Sequence, residues 1–379
     1  MWKTFFFCIV ILLAGCGIEE DMKWFNQTTQ NDVIICENNV DYFTPEAEIE
    51  FKLIKILKPE IKFSATGAEI GSIVIDSKNL IFFTDNRRCE VYKINSQSFN
   101  AELLVPFGHL ENHVSKPFGL ALKSDTLWVG DLLRRAWICF DRNGFQIREM
   151  KFENTLPTDI IFSKNSYYAV FVNYEGSRLS RNLYRMAYDD NSRGTCLYSA
   201  EIDCSKEGYE KLLFNYTVDN NEVVTVCPYE TDDYTIEIIS GKSVYAKIKK
   251  SYNAENLETD NKNFNNEMVN RINNFCHAGN KMTKIALNKN FKKRSILFSF
   301  IDGNGDILAC CNEESGDYRF DLFSKEGVLT AQGRLKGARD ALICYSRPYI
   351  IVYKNQLPQA PLISIYSYEL KRKKNEKNS

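Results

Sequence analysis

Apolar and polar residues alternate in short runs through most of the chain. In Ala47–Leu57, Ile49, Phe51 and Leu53 alternate with charged side chains, the period of a strand with one buried face. Two longer units resemble each other: GSIVIDSKNLIFFTDNRRCEVYKI from Gly71 and GLALKSDTLWVGDLLRRAWICFDRNG from Gly119, starting 48 residues apart. Each reads as strand, polar turn, strand, aspartate, a short turn with paired arginines, and strand. Asp85 precedes Arg87-Arg88, and Asp131 precedes Arg134-Arg135. A third copy has strands at Arg294–Ile301, Ile307–Cys311 and Tyr318–Phe323, with a turn at Asp302–Asp306. It ends in Ser324–Gly327 and a strand from Val328, just as Ile138–Phe140 leads through Asp141–Gly144 into Phe145–Met150. Both endings are hairpins closed by a glycine, which takes up positive φ without a Cβ penalty.

Two fainter units fit between these. One spans about 157–200, with strands at Asp159–Ser163, Ser166–Tyr174 and Arg181–Tyr188. The other spans about 208–250, with strands at Lys211–Val218, Glu222–Pro228, Tyr234–Ser240 and Ser243–Lys249. The Asn-rich stretch over about 251–290 breaks the pattern. Phe264, Met268, Val269, Ile272 and Phe275 share one helical face, and Gly279 follows as a stop, so a helix of about four turns is predicted there. The last unit, Ala341–Tyr345, Tyr349–Tyr353 and Pro361–Tyr368, is one strand short. Its open edge needs a partner, which Ala47–Leu57 or Ile61–Phe63 supplies.

Four-stranded units repeating at roughly 40–50 residues are the spacing of propeller blades. The predicted fold is therefore all-β: a six-bladed β-propeller of four-stranded antiparallel blades with one helical insertion, over about 47–370. Five or seven blades stay open, because the middle units are faint. Lys116–Gly144, KPFGLALKSDTLWVGDLLRRAWICFDRNG, is similar to the NHL pattern of Pro, Gly, apolar strand, Val-x-Asp, a turn with Arg, apolar strand, Phe-Asp and Gly. On these residues the chain resembles the six-bladed propeller lipoproteins of Bacteroides-type bacteria, related in shape to NHL and TolB-like propellers. The resemblance implies a fold and an exported location, and no single activity.

The first residues point to the same compartment. Lys3 precedes an apolar run from Phe5 to Leu13, and the 14 residues Phe5–Ile18 carry no charge. That is short of the roughly 20 residues that span a bilayer and has the layout of a secretory signal. Leu13-Ala14-Gly15-Cys16 resembles the lipobox of bacterial lipoproteins, which implies cleavage before Cys16 and a diacylglycerol on its sulfur. At roughly 0.8 kcal/mol per buried methylene, two or three chains make a firm anchor. The layout expected is a signal peptide at 1–15, a lipid-anchored linker at 16–46, the propeller, and a basic disordered tail at 371–379. Gly17 and Glu19-Glu20-Asp21 resemble the export signal of surface-exposed lipoproteins, though a solvated linker is also often acidic. An outer-membrane lipoprotein, facing the periplasm or the surface, is the expectation.

Charge removes one class of partner. Lys+Arg number 48 and Asp+Glu 49, and loss of Lys3 with the signal leaves a net charge of −2. No broad field exists to hold a nucleic acid. Ten of the 12 cysteines follow Cys16 without regular spacing, so most read as small buried hydrophobes. Cys196 and Cys204 are near enough to bridge a short loop. No metal site or other cofactor is expected, since ligand spacing is absent. Gly-x-Ser-x-Gly, P-loop and HExxH motifs are missing too.

Candidate ligand contacts are few. Arg87, Arg88, Arg134 and Arg135 could hold carboxylates or acidic sugars through planar forks, or simply pair with Asp85 and Asp131. His109 and His113 lie in the connection between the first two units, which reaches one end of a propeller. Asp302–Asp306 has oxygens at alternate positions like half a calcium loop, but a strand follows where such loops lead into a helix; a hairpin fits better. Trp128 and Trp137 read as core. The function favoured is a non-catalytic binding module for a glycan, peptide or envelope protein. The alternatives are a metal-dependent hydrolase or lyase of the lactonase-like type, and a structural partner of an outer-membrane transporter.

Overall fold

The computed structural model describes residues 25–39, 47–61, 67–95, 100–188, 190–228, 233–251, 261–276, 282–286, 296–312, 317–336, 341–346 and 348–372. Cys16, Phe63, His277 and Gly279 lie outside these residues. Among them the structure is all-β, with one α-helix, Asn261–Phe275, and a short 3-10 turn at Tyr209–Leu212. No helix of the described residues is long and apolar enough to cross a membrane.

Five antiparallel four-strand meanders follow one another. The first is Ile70–Ile75, Ile81–Asp85, Glu90–Ile94 and Asn100–Val105; the second is Pro117–Lys123, Thr126–Asp131, Ala136–Phe140 and Gln146–Lys151. The third is Asp159–Phe162, Ser166–Glu175, Arg178–Ala187 and Asp190–Asp203. The fourth comprises Phe214–Val218, Val224–Pro228, Asp233–Ser240 and Ser243–Ser251, and the fifth Ile296–Ile301, Ile307–Asn312, Tyr318–Phe323 and Leu329–Leu335. Three strands end the chain: Leu342–Ser346, Tyr349–Lys354 and Leu362–Arg372. Their missing fourth is Ala47–Leu57, which runs antiparallel to Leu362–Arg372 from Leu57 opposite Ile363 to Ala47 opposite Arg372.

The middle strands do not alternate, because each sheet is packed on both faces. Ile81–Asp85 and Ala136–Phe140 are buried at every position. Successive side chains on a strand point to opposite faces, and here each face has its own neighbour. Phe82 joins Leu127, Val129 and Ile138 between the first and second meanders, whereas Ile81 and Phe83 meet Ile351 and Ile363 of the last sheet. Trp128, Trp137 and Cys139 face Tyr167 and Ala169 of the third meander. Cys310 and Cys311 divide in the same way, one toward the last sheet and one toward the fourth meander. A further cluster joins the third and fourth meanders through Tyr168, Val170, Phe214 and Val226. Each fully buried Ile or Phe contributes roughly 1.5–3 kcal/mol.

The contacts close on themselves between the last sheet and the first meander. Ile75 N–H donates to Ser346 Oγ at 2.8 Å, and Ile70 N–H to Asn355 Oδ1 at 2.9 Å, with Asn355 Nδ2 returning a bond to the Ile70 carbonyl at 3.2 Å.

The segment before the first meander departs from the expected linker at 16–46. Phe25–Gln30 and Val33–Asn38 form a hairpin, and Val33–Asn38 pairs in parallel with Ser243–Ser251 at the edge of the fourth meander. Asn38 donates through Nδ2 to the Gly327 carbonyl at 3.1 Å and accepts from Leu329 N–H at 2.9 Å in the fifth. Ala47-Glu48 touch the fifth meander's edge at Ala331-Gln332 before Ala47–Leu57 completes the last sheet. Glu60-Ile61 then pair with Asn100-Ala101 at the edge of the first. The described residues between 25 and 61 are thus a belt across four neighbouring sheet edges. Phe25–Gln30 is polar after Phe25 and Val33–Cys36 is a short apolar run without alternation, so neither shows the strand period, which is why the pattern suggested a linker. The last strand also runs two residues past the expected limit at 370.

The third meander is drawn out. Its second and third strands have 10 residues each and its fourth spans Asp190–Asp203, a strand the sequence pattern did not separate. The extension is a platform for the helix: Val172, Leu179 and Ile202 pack with Ile272 and Cys276. The expected insertion is therefore helical, and Val269, Ile272 and Phe275 pack against the sheets as predicted.

Candidate functional site

The two Asp-turn-Arg units are built alike. Asp131 is fully buried; its Oδ2 accepts from Ser115 N–H at 2.6 Å, and its Oδ1 from Lys116, Leu133 and Arg134 N–H at 3.2, 3.0 and 3.2 Å. Asp85, also buried, accepts from Glu69 and Arg87 N–H and pairs with the Arg88 guanidinium. Arg134 reaches the His113 carbonyl at 3.0 Å and Glu149 at 3.2 Å. Counting from each aspartate, Arg88 matches Arg134, so the arginine pairs are one residue out of step. Cys89 and Arg135 share the next place, at φ 55° and 50°, and Arg135 donates to the Asn154 carbonyl at 3.0 Å. Removing a buried carboxylate that satisfies four N–H groups should cost about 3 kcal/mol. Asp131→Ala is expected to show that loss in denaturant unfolding, whereas Arg87→Ala, at an exposed side chain, should show almost none.

The two histidines are anchored in their loop. His109 Nδ1 lies 2.8 Å from Ser115 Oγ, and His113 Nδ1 lies 2.8 Å from the Glu111 carbonyl. Trp128 and Trp137 are core residues, as expected. At Asp302 the carboxylate accepts from Asn304 and Asp306 N–H at 2.7 and 3.1 Å, which is a hairpin closure. Asp76, Asp141 and Asp219 close their own hairpins through the same i+2 and i+4 contacts. Cys196 and Cys204 are both free, the first exposed and the second buried. No three His, Cys, Asp or Glu side chains among the described residues are gathered as a metal would need.

A recess among the described residues lies elsewhere. A cavity of about 670 Å³ opens where the first strands of neighbouring meanders begin, and the helix forms part of its wall. First strands touch one another from the first meander to the second and from the second to the third, so their starts lie side by side at the cavity. Lys116 and Pro117 enter from the start of the second meander, Thr158 from that of the third, and Phe214-Asn215 from the fourth. Asn86 and Cys89 come from the turn after Asp85, and Arg271, Asn274 and Phe275 from the helix. The helix is fixed there by Phe118 against Phe275, with ring centroids 5.0 Å apart, and by Leu156 N–H donating to the Phe275 carbonyl at 3.2 Å. None of Arg87, Arg88, Arg134, Arg135, His109 and His113 lines it. The sequence held one signal for it: the Lys-Pro-Phe-Gly run at the start of the second unit.

Arg181, on the third meander, carries the clearest electrostatics. Its Nη1 donates to the Phe214 carbonyl at 2.7 Å, and its guanidinium lies 4.2 Å from the Phe214 ring centre. Asp159 and Tyr216 sit beside it. Both are half-buried. Burial raises the Asp159 carboxyl above its ordinary range, opposed by Arg181, the Ile160 N–H and Tyr216. Burial next to Asp159 pushes the Tyr216 phenol up as well.

No known family profile matches the chain, and no curated protein does. Among solved structures, a DUF4221-family member from Bacteroides vulgatus is similar over 86% of this chain and 100% of its own, at 11% identity and a TM-score of 0.48. A Bacteroides fragilis protein inferred to be exported matches over 86% and 96%, at 11% identity and 0.44. Virginiamycin B lyase from Staphylococcus aureus matches over 84% and 99%, at 13% identity and 0.42.

Proposed function

We propose that this chain is a lipid-anchored protein of the bacterial outer membrane whose six blades form an NHL/TolB-like β-propeller, and that the axial cavity binds its ligand. The blade count rests on five complete meanders, a sixth completed by Ala47–Leu57, and core clusters at every junction, including last to first. The single observation behind the binding reading is the cavity itself. Its volume lies in the roughly 300–1,000 Å³ range of small-molecule sites, and it mixes apolar walls with a few convergent polar groups. Arg87, exposed between the cavity-lining Asn86 and Cys89, is the sequence candidate best placed to meet a ligand at the mouth. The metal-dependent alternative has no donor set among the described residues.

Two measurements test this. Cys16→Ser should move the protein from the membrane to the soluble fraction of a bacterial host, because one cysteine carries the acyl chains; retention on the membrane would refute the tether. A mixed set of cationic, neutral and anionic metabolites, screened by ligand-observed NMR, should give binders that are lost in Asn274→Trp, which fills the cavity from the exposed helix side. Binders indifferent to Asn274→Trp, or no binders at all, would refute the axial site.

A further inference from the structure

We infer that the axial cavity is selective for an organic anion with a flat apolar body, an inference that rests on the cavity being the ligand site. Three cations line it, Lys116, Arg181 and Arg271, and among the described residues no Asp or Glu does. The chain as a whole has 48 basic and 49 acidic side chains, so this local excess is not inherited from composition. The three arrive from separate elements: the connection before the second meander, a long strand of the third, and the inserted helix.

The cations differ in what holds them. Arg181 is pre-oriented by the Phe214 carbonyl and ring, so little rotamer freedom is lost when its planar fork meets an anion. Lys116 is exposed and makes no ion pair with a described residue. Asp159, whose charge acts on Arg181, is not part of the described lining. The apolar part of the wall is Phe118, Phe275, Ile272 and Val172, where a ring or flat chain is desolvated. Asn86, Asn215 and Asn274 offer neutral hydrogen bonds. An anionic head with an apolar plane meets both the cations and the apolar wall; a neutral sugar gains no charge-assisted contact, and a bare inorganic ion leaves the apolar wall wet.

The test compares 2-naphthoate, 2-naphthyl phosphate and neutral 2-naphthylmethanol by calorimetric titration of the mature protein. At least one of the two anions is expected to bind 10-fold or more tightly than the alcohol, and which one it is tells carboxylate from phosphate. Arg181→Gln should remove most of that preference. If Arg181→Gln unfolds, Lys116→Gln and Arg271→Gln, whose side chains are exposed, should each weaken the preferred anion 5-fold or more and leave the alcohol within 2-fold. Equal binding of alcohol and anions, lost in Asn274→Trp, would overturn the anion inference and leave the axial site standing. Anion binding indifferent to all three cation variants would overturn it too. If no naphthyl compound binds while screened metabolites do, the class is wrong and the site survives; if nothing binds, both fall.

Discussion

A chain lacking residues 47–57 is expected to lose its cooperative thermal transition altogether. Leu362–Arg372 would then present a long open edge in place of its antiparallel partner. Leu57 is fully buried between the last sheet and the first meander, and Ile49 is 2% exposed between the last sheet and the fifth meander. Deleting one such side chain alone costs roughly 2–5 kcal/mol. Two of them plus the strand ladder reach the whole stability of an ordinary domain, roughly 5–15 kcal/mol. Circular dichroism on heating is the measurement, and a sharp melt near that of the intact mature protein would refute the closure. Leu57→Ala is the graded version, with an expected loss of roughly 2–5 kcal/mol in denaturant unfolding. Deleting only the hairpin Phe25–Asn38 should do less, since its first strand is almost wholly exposed.

The second large effect is expected at the ion pair between the fourth and fifth meanders. Lys250 Nζ lies 2.7 Å from Asp321 Oδ2, with side chains 2% and 0% exposed. Gln332 Nε2 donates to Asp321 Oδ1 at 2.6 Å, and Arg319 Nε lies 3.4 Å from the same oxygen. A buried pair adds little over apolar packing, but removing one partner strands the other charge. Lys250→Met is therefore expected to cost roughly 3–5 kcal/mol, and Asp321→Asn a similar amount. Because the two residues share one contact, the double variant should lose clearly less than the sum of the singles. Additive losses in denaturant unfolding would refute the coupling.

The same pair sets a dependence on acid. Burial alone would raise the Asp321 carboxyl, but Lys250 and Arg319 beside it outweigh that and hold it at about 2, below its ordinary 3.8. A depressed carboxyl means the unfolded chain binds the proton first as pH falls. Its contribution is full above about pH 4 and is lost progressively as pH falls toward 2. The acid limb of the stability curve should flatten in Asp321→Asn; an unchanged limb would show that other carboxylates govern acid unfolding.

Much of the fold could be read before any coordinates. Strands and turns of the first, second and fifth units follow from runs such as Ile81–Phe83 and Trp137–Phe140, bounded by aspartate and glycine. Gly144, Gly305 and Gly327 hold φ of 87°, 89° and 85°, as their hairpins required. The helix was legible because three of its apolar positions, Val269, Ile272 and Phe275, do face the core. The belt was not: Phe25–Gln30 has only polar side chains after Phe25 and is recognisable only through the edge it leads to. Paired arginines suggested a ligand site because they repeat, yet three of the four are engaged with local acids or carbonyls.

Local sequence alone carried the strand unit, its repetition and the missing last strand, because periodicity and turn chemistry act over a few residues. Tertiary structure alone decided where the cavity is and what lines it. Lys116, Arg181 and Arg271 are separated by 65 and 90 positions, and no local rule relates them. They meet because neighbouring antiparallel sheets pack face to face beside the cavity, and because the drawn-out third sheet gives the helix a place to rest there.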